Sequence, residues 1–600
     1  MKRFLFLGIS IMSMYNTIAQ PRTRTQLSGF ITDARTGLPL FGASVILSDS
    51  RSGTTTDSAG HYVLKNIPTG HTIIEISFAG FKTIVEHLDI TANEEKNFAL
   101  VPSVLENEGV TITAVANATS IRQAPIAVTR VSRTDLLNTT STNIIDALSK
   151  QPGISQLSSG PAVSKPIIRG LGYNRLVVIN DGVRQEGQQW GDEHGIEIDD
   201  NSVSRIEIVK GPASLIYGSD AIAGVINIIT TTPLPANTIK GNILSSYQTN
   251  NKQRSLYGNL GGNQNGWNWN VWGNYKAASD YKNRYDGRVY NSKYNEKNTG
   301  AYIGLNKSWG FSHLIFSRFN QQLGMIEGER DANGNFVKPL PGGITGAVSE
   351  DDFNSTDPQV PYQHVVHTKL TSDNSFRIGK NRLSVVLGLQ RNQRKEFGDP
   401  GDPGLAELYF DLRTLSYNTA YHLNDRNGWS TSFGLNGMVQ TNDNKGEEVL
   451  IPEYRLFDIG TYVYVQKTIG KSSVSGGVRY DNRLLRSNEL YEGSELKFSG
   501  FEKNYSNLSA SAGISYAASD QMVFKLNLAQ GFRAPSIPEL SSNGTHEGTN
   551  RYEYGATNLR SERSFQVDLG SEWNSDHLSI VANVFYNHIN NFIFYTKLQG

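Results

Sequence analysis

From residue 237 onward, apolar and polar residues alternate one by one through long runs. Leu383, Val385, Leu387 and Leu389 alternate with Ser384, Val386, Gly388 and Gln390, and Met522, Phe524, Leu526 and Leu528 with Val523, Lys525, Asn527 and Ala529. Trp267, Trp269, Val271 and Tyr275 alternate with Asn268, Asn270 and Asn274, and Leu578, Ile580, Ala582, Val584 and Tyr586 repeat the pattern near the end. A period of two puts the two sets on opposite faces of a strand. About fifteen such runs can be counted by this template. A lipid-crossing strand needs about 9–11 residues with one apolar face, the other turned to a polar lumen. A soluble sandwich alternates too, but the number of runs and their polar connections favour a transmembrane antiparallel β-barrel over residues 237–600. Hydrophobic residues are 38%, and no long uncharged apolar run follows the first 19 residues, which excludes a helical membrane bundle.

Composition narrows the function. Lys+Arg and Asp+Glu are both 56, so the net charge is zero and a basic nucleic-acid binder is disfavoured. Cysteine is absent, which excludes disulfide scaffolds, thiolate metal sites and cysteine nucleophiles. No His-Glu-x-x-His, Gly-x-Ser-x-Gly or phosphate-binding Gly-x-x-x-x-Gly-Lys-Ser/Thr is present, so the chain reads as neither a hydrolase nor an ATPase.

Residues 1–19 read as a signal peptide: Lys2 and Arg3 are followed by an apolar stretch from Phe4 to Met14, then Thr17-Ile18-Ala19 at the cut. Residues 20–101 read as a β-sandwich of short strands between Asp, Gly and Pro turns. Thr36-Gly37-Leu38-Pro39-Leu40 and Thr56-Asp57-Ser58-Ala59-Gly60-His61-Tyr62 resemble the carboxypeptidase-regulatory-like domain, which implies no catalysis. Residues 102–116 are a polar linker carrying the β-prone run Val110, Thr111, Ile112, Thr113 and Ala114, a strand able to add to another sheet's edge.

Residues 117–233 carry the densest motifs. Ser132-Arg133-Thr134-Asp135-Leu136-Leu137, with a capping residue, and Thr142-Asn143-Ile144-Ile145-Asp146-Ala147-Leu148, with its apolar spacing, read as two short helices. Arg169-Gly170-Leu171, the hairpin turn Asp181-Gly182-Val183-Arg184 and Ile206-Glu207-Ile208-Val209-Lys210-Gly211-Pro212 follow, then Tyr217-Gly218 and Gly224-Val225-Ile226-Asn227-Ile228. In this order the pieces closely resemble the plug domain of TonB-dependent outer-membrane receptors. The resemblance implies a mostly β chain: an N-terminal sandwich, an α+β plug inside a 22-stranded barrel, and residues 110–114 as the TonB box. It also implies, as partners, the inner-membrane TonB complex that supplies the energy, the outer-membrane lipid and a transported ligand. With about fifteen strands against the family's 22, the barrel is expected to stop before closure, leaving edges that lipid does not tolerate.

Ligand chemistry is sought in two places. Asp192, Glu193 and His194 lie in a Gly-flanked stretch of the plug, and His546 and Glu547 in a barrel loop. Imidazole with carboxylates suits a borderline cation such as zinc, though a solvated acidic loop reads the same way. Phe532-Arg533-Ala534-Pro535 and Asn558-Leu559-Arg560-Ser561-Glu562 resemble a barrel signature of heme, siderophore and zinc receptors, so the expected cargo is a metal ion, foremost zinc, or a metal chelate. Heme or a ferric siderophore, and a glycan or peptide taken up with a surface lipoprotein, remain the alternatives. No resident cofactor is required. His364 and His367, three apart on a strand, should face opposite ways. Loops near 323–360 and 395–406 should be extracellular.

Overall fold

The computed structural model describes residues 25–47, 52–78, 80–102, 111–112, 119–187, 194–212, 214–230, 234–546, 551–575 and 578–597. The signal-peptide residues lie outside them. The first unit is a sandwich. One sheet holds Thr25–Asp33, His61–Ile67, Glu94–Glu95 and Phe98–Leu100, and the other Ser44–Leu47, Ser52–Thr55, Gly70–Ser77 and Ile84–Ile90. Leu27, Ile31, Val45, Ile74 and Leu100 meet in its core. Thr111–Ile112 then pairs antiparallel with Thr119–Ser120; Val110, Thr113 and Ala114 lie outside the described residues.

The plug is built on a five-stranded mixed sheet in the order Ala127–Ser132, Arg205–Lys210, Gly224–Ile229, Leu176–Asn180, Val183–Arg184. Leu176–Asn180 and Gly224–Ile229 pair in parallel and are buried along their whole length, as continuous β-branched runs covered on both faces should be. Helix Arg133–Asn138 starts with a Ser132–Asp135 capping box. In helix Ile144–Leu148, the Asn143 side chain accepts from the N–H groups of Ile145 and Asp146, and Ile144, Ile145 and Leu148 enter the plug core.

Fifteen strands, from Thr238–Gln248 to Ser579–Asn590, form one sheet whose spatial order is the chain order, each antiparallel to the next. Their side chains sort as the alternation demands: Phe524, Leu526 and Leu528 are exposed while Val523, Lys525, Asn527 and Ala529 are buried. Leu389 faces out and Gln390 in. At the turn Asn265–Gly266, φ values of 53° and 85° give a two-residue hairpin that glycine permits and that matches the strand twist. The strands run from 11 to 17 residues, longer than the expected span, because they continue beyond the apolar band into their connecting hairpins.

Short turns, such as 379–380 and 470–471, join strands at one end, while long connections, such as 325–361 and 534–561, lie at the other. In membrane barrels of this kind short turns face the periplasm and long loops the exterior. Trp267, Trp429 and Tyr516 are exposed near the short-turn end, where interfacial aromatics belong. Thr238–Gln248 and Ser579–Asn590 are the sheet's two edges and do not pair with each other.

Candidate functional site at the plug and barrel interface

The plug lies against the concave face of the sheet, and buried charges join the two. Arg175 bonds Glu562 through Nε at 3.0 Å and Nη2 at 2.6 Å, and Arg533 Nε reaches the same carboxylate at 3.0 Å. Arg533 also donates to Glu539 at 2.7 Å. The Phe-Arg-Ala-Pro and Asn-Leu-x-x-Glu pieces of the sequence thus meet at Glu562, which also receives the plug's Arg175. Arg169 pairs with Asp568 at 2.5 Å and lies 4.4 Å from the Phe585 ring centroid.

The other plug motifs have separable tasks. Arg169 and Gly170 turn through φ values of 51° and 82°. Asp181 and Gly182, at 52° and 83°, make a two-residue hairpin between Asn180 and Val183. Asp181 accepts from Thr230 N and Oγ1 and pairs with Lys369 of the wall at 3.3 Å. Glu207 is fully buried and takes hydrogen bonds at 3.2 Å from Asn227 Nδ2 and Arg205 Nε. Lys210 donates to Pro152 O at 2.7 Å; burial, then neighbouring Arg169, depresses its ammonium pKa to about 8. Gly211 packs against Gln566 and Asp568, and Gly218 against the Arg479 guanidinium; Tyr217 ends the short helix Ser214–Tyr217.

Nearer the long-loop end a polar network crosses the interface. Glu197 takes Arg394 Nη2 at 2.7 Å, stands 3.1 Å from His367 Nδ1, and accepts from Asn392. Burial alone would raise the Glu197 carboxyl; His367 and Arg394 reverse this and hold it below the usual range. Arg394 Nη1 donates to Gln363 Oε1 at 2.8 Å, and Gln363 to Glu396. Further round, Asp220 joins Arg184 at 2.8 Å and Arg483 at 3.0 Å; against the upward push of burial, these two guanidiniums hold its carboxyl at about 2. On the far wall Asp199 accepts from Asn274 at 2.6 Å, and Lys276 binds Asp200 at 3.0 Å. Burial and the adjacent Asp200 raise Asp199 to about 8.

Of the proposed metal residues, His194 is fully buried with Nε2 3.2 Å from Glu396 Oε1. Asp192, Glu193 and Glu547 lie outside the described residues. His546 ends the strand Asn543–His546, which pairs with Arg551–Tyr554. Among the described residues no three His, Asp or Glu side chains are gathered to hold a metal. His364 bonds Asn320 while His367 faces the plug, so the two point apart as their spacing requires. The barrel partners Lys369, Arg394, Arg483 and Asp568 were not singled out by motif. Their only signal was inward parity on an alternating strand.

A family model of the TonB-dependent receptor plug domain matches residues 120–225, one of a carboxypeptidase-regulatory-like domain matches residues 27–112, and one of the TonB-dependent receptor-like β-barrel matches residues 210–600. The chain belongs to the TonB-dependent receptor family. The receptor is therefore a β-barrel of the outer membrane, and among its described residues no helix is long and apolar enough to cross a membrane. It is similar to an iron-regulated outer membrane virulence protein of Vibrio cholerae, 37% identical over 131 residues, covering 21% of this chain and 20% of that protein. It is also similar to a hemin receptor of Yersinia enterocolitica, 36% identical over 120 residues, covering 20% of this chain and 17% of that one. The receptor thus matches about a fifth of the length of these relatives. In fold it resembles the Serratia marcescens hemophore receptor HasR, solved with its hemophore HasA and heme, with a TM-score of 0.61 at 16% identity over 78% of this chain and 74% of that one.

Proposed function

We propose that the receptor imports a scarce metal chelate across the outer membrane, drawing its energy through residues 110–114 from the inner-membrane TonB complex. One observation carries the reading: the lumen-facing side of the wall is tied to the plug by buried ion pairs such as Arg175–Glu562–Arg533. A cargo cannot pass unless such contacts rearrange, and the chain has no nucleotide motif of its own, so the work comes from outside. Strand addition to the Thr111–Ile112 segment suits that role. The domains follow as a sandwich over 20–101, a linker over 102–116, a plug over 117–233 and a barrel from 237.

An iron-bearing chelate, heme or ferric siderophore, is the favoured cargo, since relatives are named for iron regulation and hemin. Zinc held by Asp192, Glu193, His194, His546 and Glu547 is the second reading.

The test compares uptake of radiolabelled hemin, a ferric chelate and zinc by cells producing the receptor, its Ile112→Pro variant, and a variant with His194 and His546 both changed to Ala. Hemin or chelate uptake abolished by Ile112→Pro, which removes a strand donor, supports the reading. Energised uptake of zinc alone, lost in the double histidine variant, would transfer the case to zinc. Uptake unaffected by Ile112→Pro would refute the TonB-box assignment.

A further inference from the structure

Three cavities lie in series along one sector of the wall. The first, under loop residues 534–538, is bordered by Arg184, Asp220, Gln440, Tyr454 and Arg483. The second is lined by Tyr217, Gly218, Asn418, Asn436 and Asp458, and shares Arg184, Met438 and Arg483 with the first. The third opens at the short-turn end between Arg382, His422 and Gln466 of the barrel, Gln123 of the plug and His87 of the sandwich. Their wall positions descend in step. On strand Tyr454–Ile469 they are 454 and 456, then 458–460, then 466 and 468. On strand Trp429–Asn444 they are 438 and 440, then 436–438, then 430.

Two constrictions separate the cavities. Between the first and second, Asp220 of the plug is clamped by Arg184 at 2.8 Å and Arg483 at 3.0 Å, and Arg483 is held to the wall by Asp458 at 2.7 Å. Between the second and third, Leu215 of the short plug helix packs with Tyr462 and Tyr464. The Tyr462 ring fills the space left by Gly434, where a Cβ would come within 2.0 Å of Tyr462 Cε1. The far wall is bonded to the plug directly, by Lys276 to Asp200 and Asn274 to Asp199.

Resting on the import reading above, we propose that cargo crosses along this one sector, past a polar outer gate at Asp220 and an aromatic inner gate at Leu215–Tyr462–Tyr464. The outer gate is local: one carboxylate receives two guanidiniums, so displacing the short segment Ser219–Asp220 parts the clamp while the far wall stays docked. The charge along the route points to an anionic cargo. Among the described lining residues, Arg184, Arg479 and Arg483 stand with Asp458 and Asp481 in the second cavity, and Arg377, Lys380 and Arg382 with Asp425 in the third. The described lining of the third cavity, at the exit, carries more cations than carboxylates, which favours an anionic chelate over a bare divalent cation.

The absence of native cysteine allows single thiols to report the route. Cysteine is placed at Asn418 in the second cavity, at Asn298 on the wall outside the sector, and at Asn333 in the long loop 325–361. Cells producing each full chain are treated with a membrane-impermeant maleimide, with and without Asp220→Asn. Asn333→Cys should label at once. Asn418→Cys should label at least tenfold faster in the Asp220→Asn background, while Asn298→Cys stays slow. Asp220→Glu, which keeps the carboxylate, should leave Asn418→Cys slow and so separates gate opening from general loosening. No labelling at Asn333→Cys would overturn the outer-membrane orientation on which the import reading rests. Labelling at Asn333→Cys, with Asn418→Cys and Asn298→Cys accelerated alike or both unchanged, would overturn the route alone.

Discussion

Replacing Glu562 by Gln removes the charge at which the plug and barrel signatures converge. Glu562 is fully buried and accepts from Arg175 twice, from Arg533 and from Ile593 N. Without it, of the two guanidiniums, 9% and 0% exposed, Arg533 keeps Glu539, while Arg175 is left with the Ile593 carbonyl and the Phe592 ring. Removing one partner of a buried ion pair costs about 3–5 kcal/mol. Against the roughly 5–15 kcal/mol that stabilises a typical domain, such a loss should loosen the plug. Amide hydrogen exchange over residues 176–180 and 224–229 is the assay, because the first of these two parallel strands directly follows Arg175. Exchange should accelerate in Glu562→Gln and recover in part when Arg175→Gln is added, since that removes the orphaned cation. The pair should show a coupling of about 1–3 kcal/mol in the double-mutant cycle. Effects that simply add, to within about 0.5 kcal/mol, would refute the reasoning that this pair docks the plug.

Other perturbations read other parts of the structure. Burial and the neighbouring Asp200 push the Asp199 carboxyl in the folded state up to about 8, whereas an unfolded aspartate ionises at about 3.9. The folded state therefore binds more protons between these values, and stability should fall as pH rises from about 4 to about 8; Asp199→Asn should flatten that slope in thermal melts taken across the range. Gly224→Ala places a Cβ 2.1 Å from Val209 O at a φ of 146°, whereas Gly170, with a φ of 82°, has nothing within 4 Å. The first substitution should abolish plug folding, seen as protease sensitivity, and the second should cost only about 1–2 kcal/mol. Asn143→Ala removes a helix cap and two donor contacts, to Pro161 O and Ser164 Oγ, and should cost about 1–2 kcal/mol in chemical denaturation of the plug. Leu526→Arg sets a charge on the lipid face and should lower barrel stability by about 2–4 kcal/mol in denaturant titration from lipid.

What could be read from the residues alone followed from strong local rules. Alternation revealed the barrel strands and their number because the side-chain period of a strand is two and lipid punishes error. Asp181-Gly182 announced a hairpin and Ser132 a helix start, because those residues satisfy specific backbone geometries, whereas the Asn143 cap emerges only in the structure. The site was less legible. Lys369 and Asp568 look like any inward polar residue, and only the seating of the plug against the wall sets them beside Asp181 and Arg169. His194 also lies 3.2 Å from Glu396, about two hundred residues away in the chain, a neighbour that the local sequence does not announce. Strand lengths were underestimated because lipid thickness bounds only the apolar band, not the hairpins beyond it.

The most direct test of a plug seated inside the strand wall is a disulfide between Val183→Cys and Gly388→Cys. A Cβ built at Gly388 would stand 2.6 Å from Val183 Cγ1, which brings the two Cβ atoms close to the roughly 3.5–4.5 Å that a disulfide spans. Mass spectrometry of the digested, unreduced protein should recover the 183- and 388-bearing peptides joined, in high yield and without other thiols to compete. Recovery of both peptides as free thiols from folded protein under oxidising conditions would contradict the architecture on which every other conclusion rests.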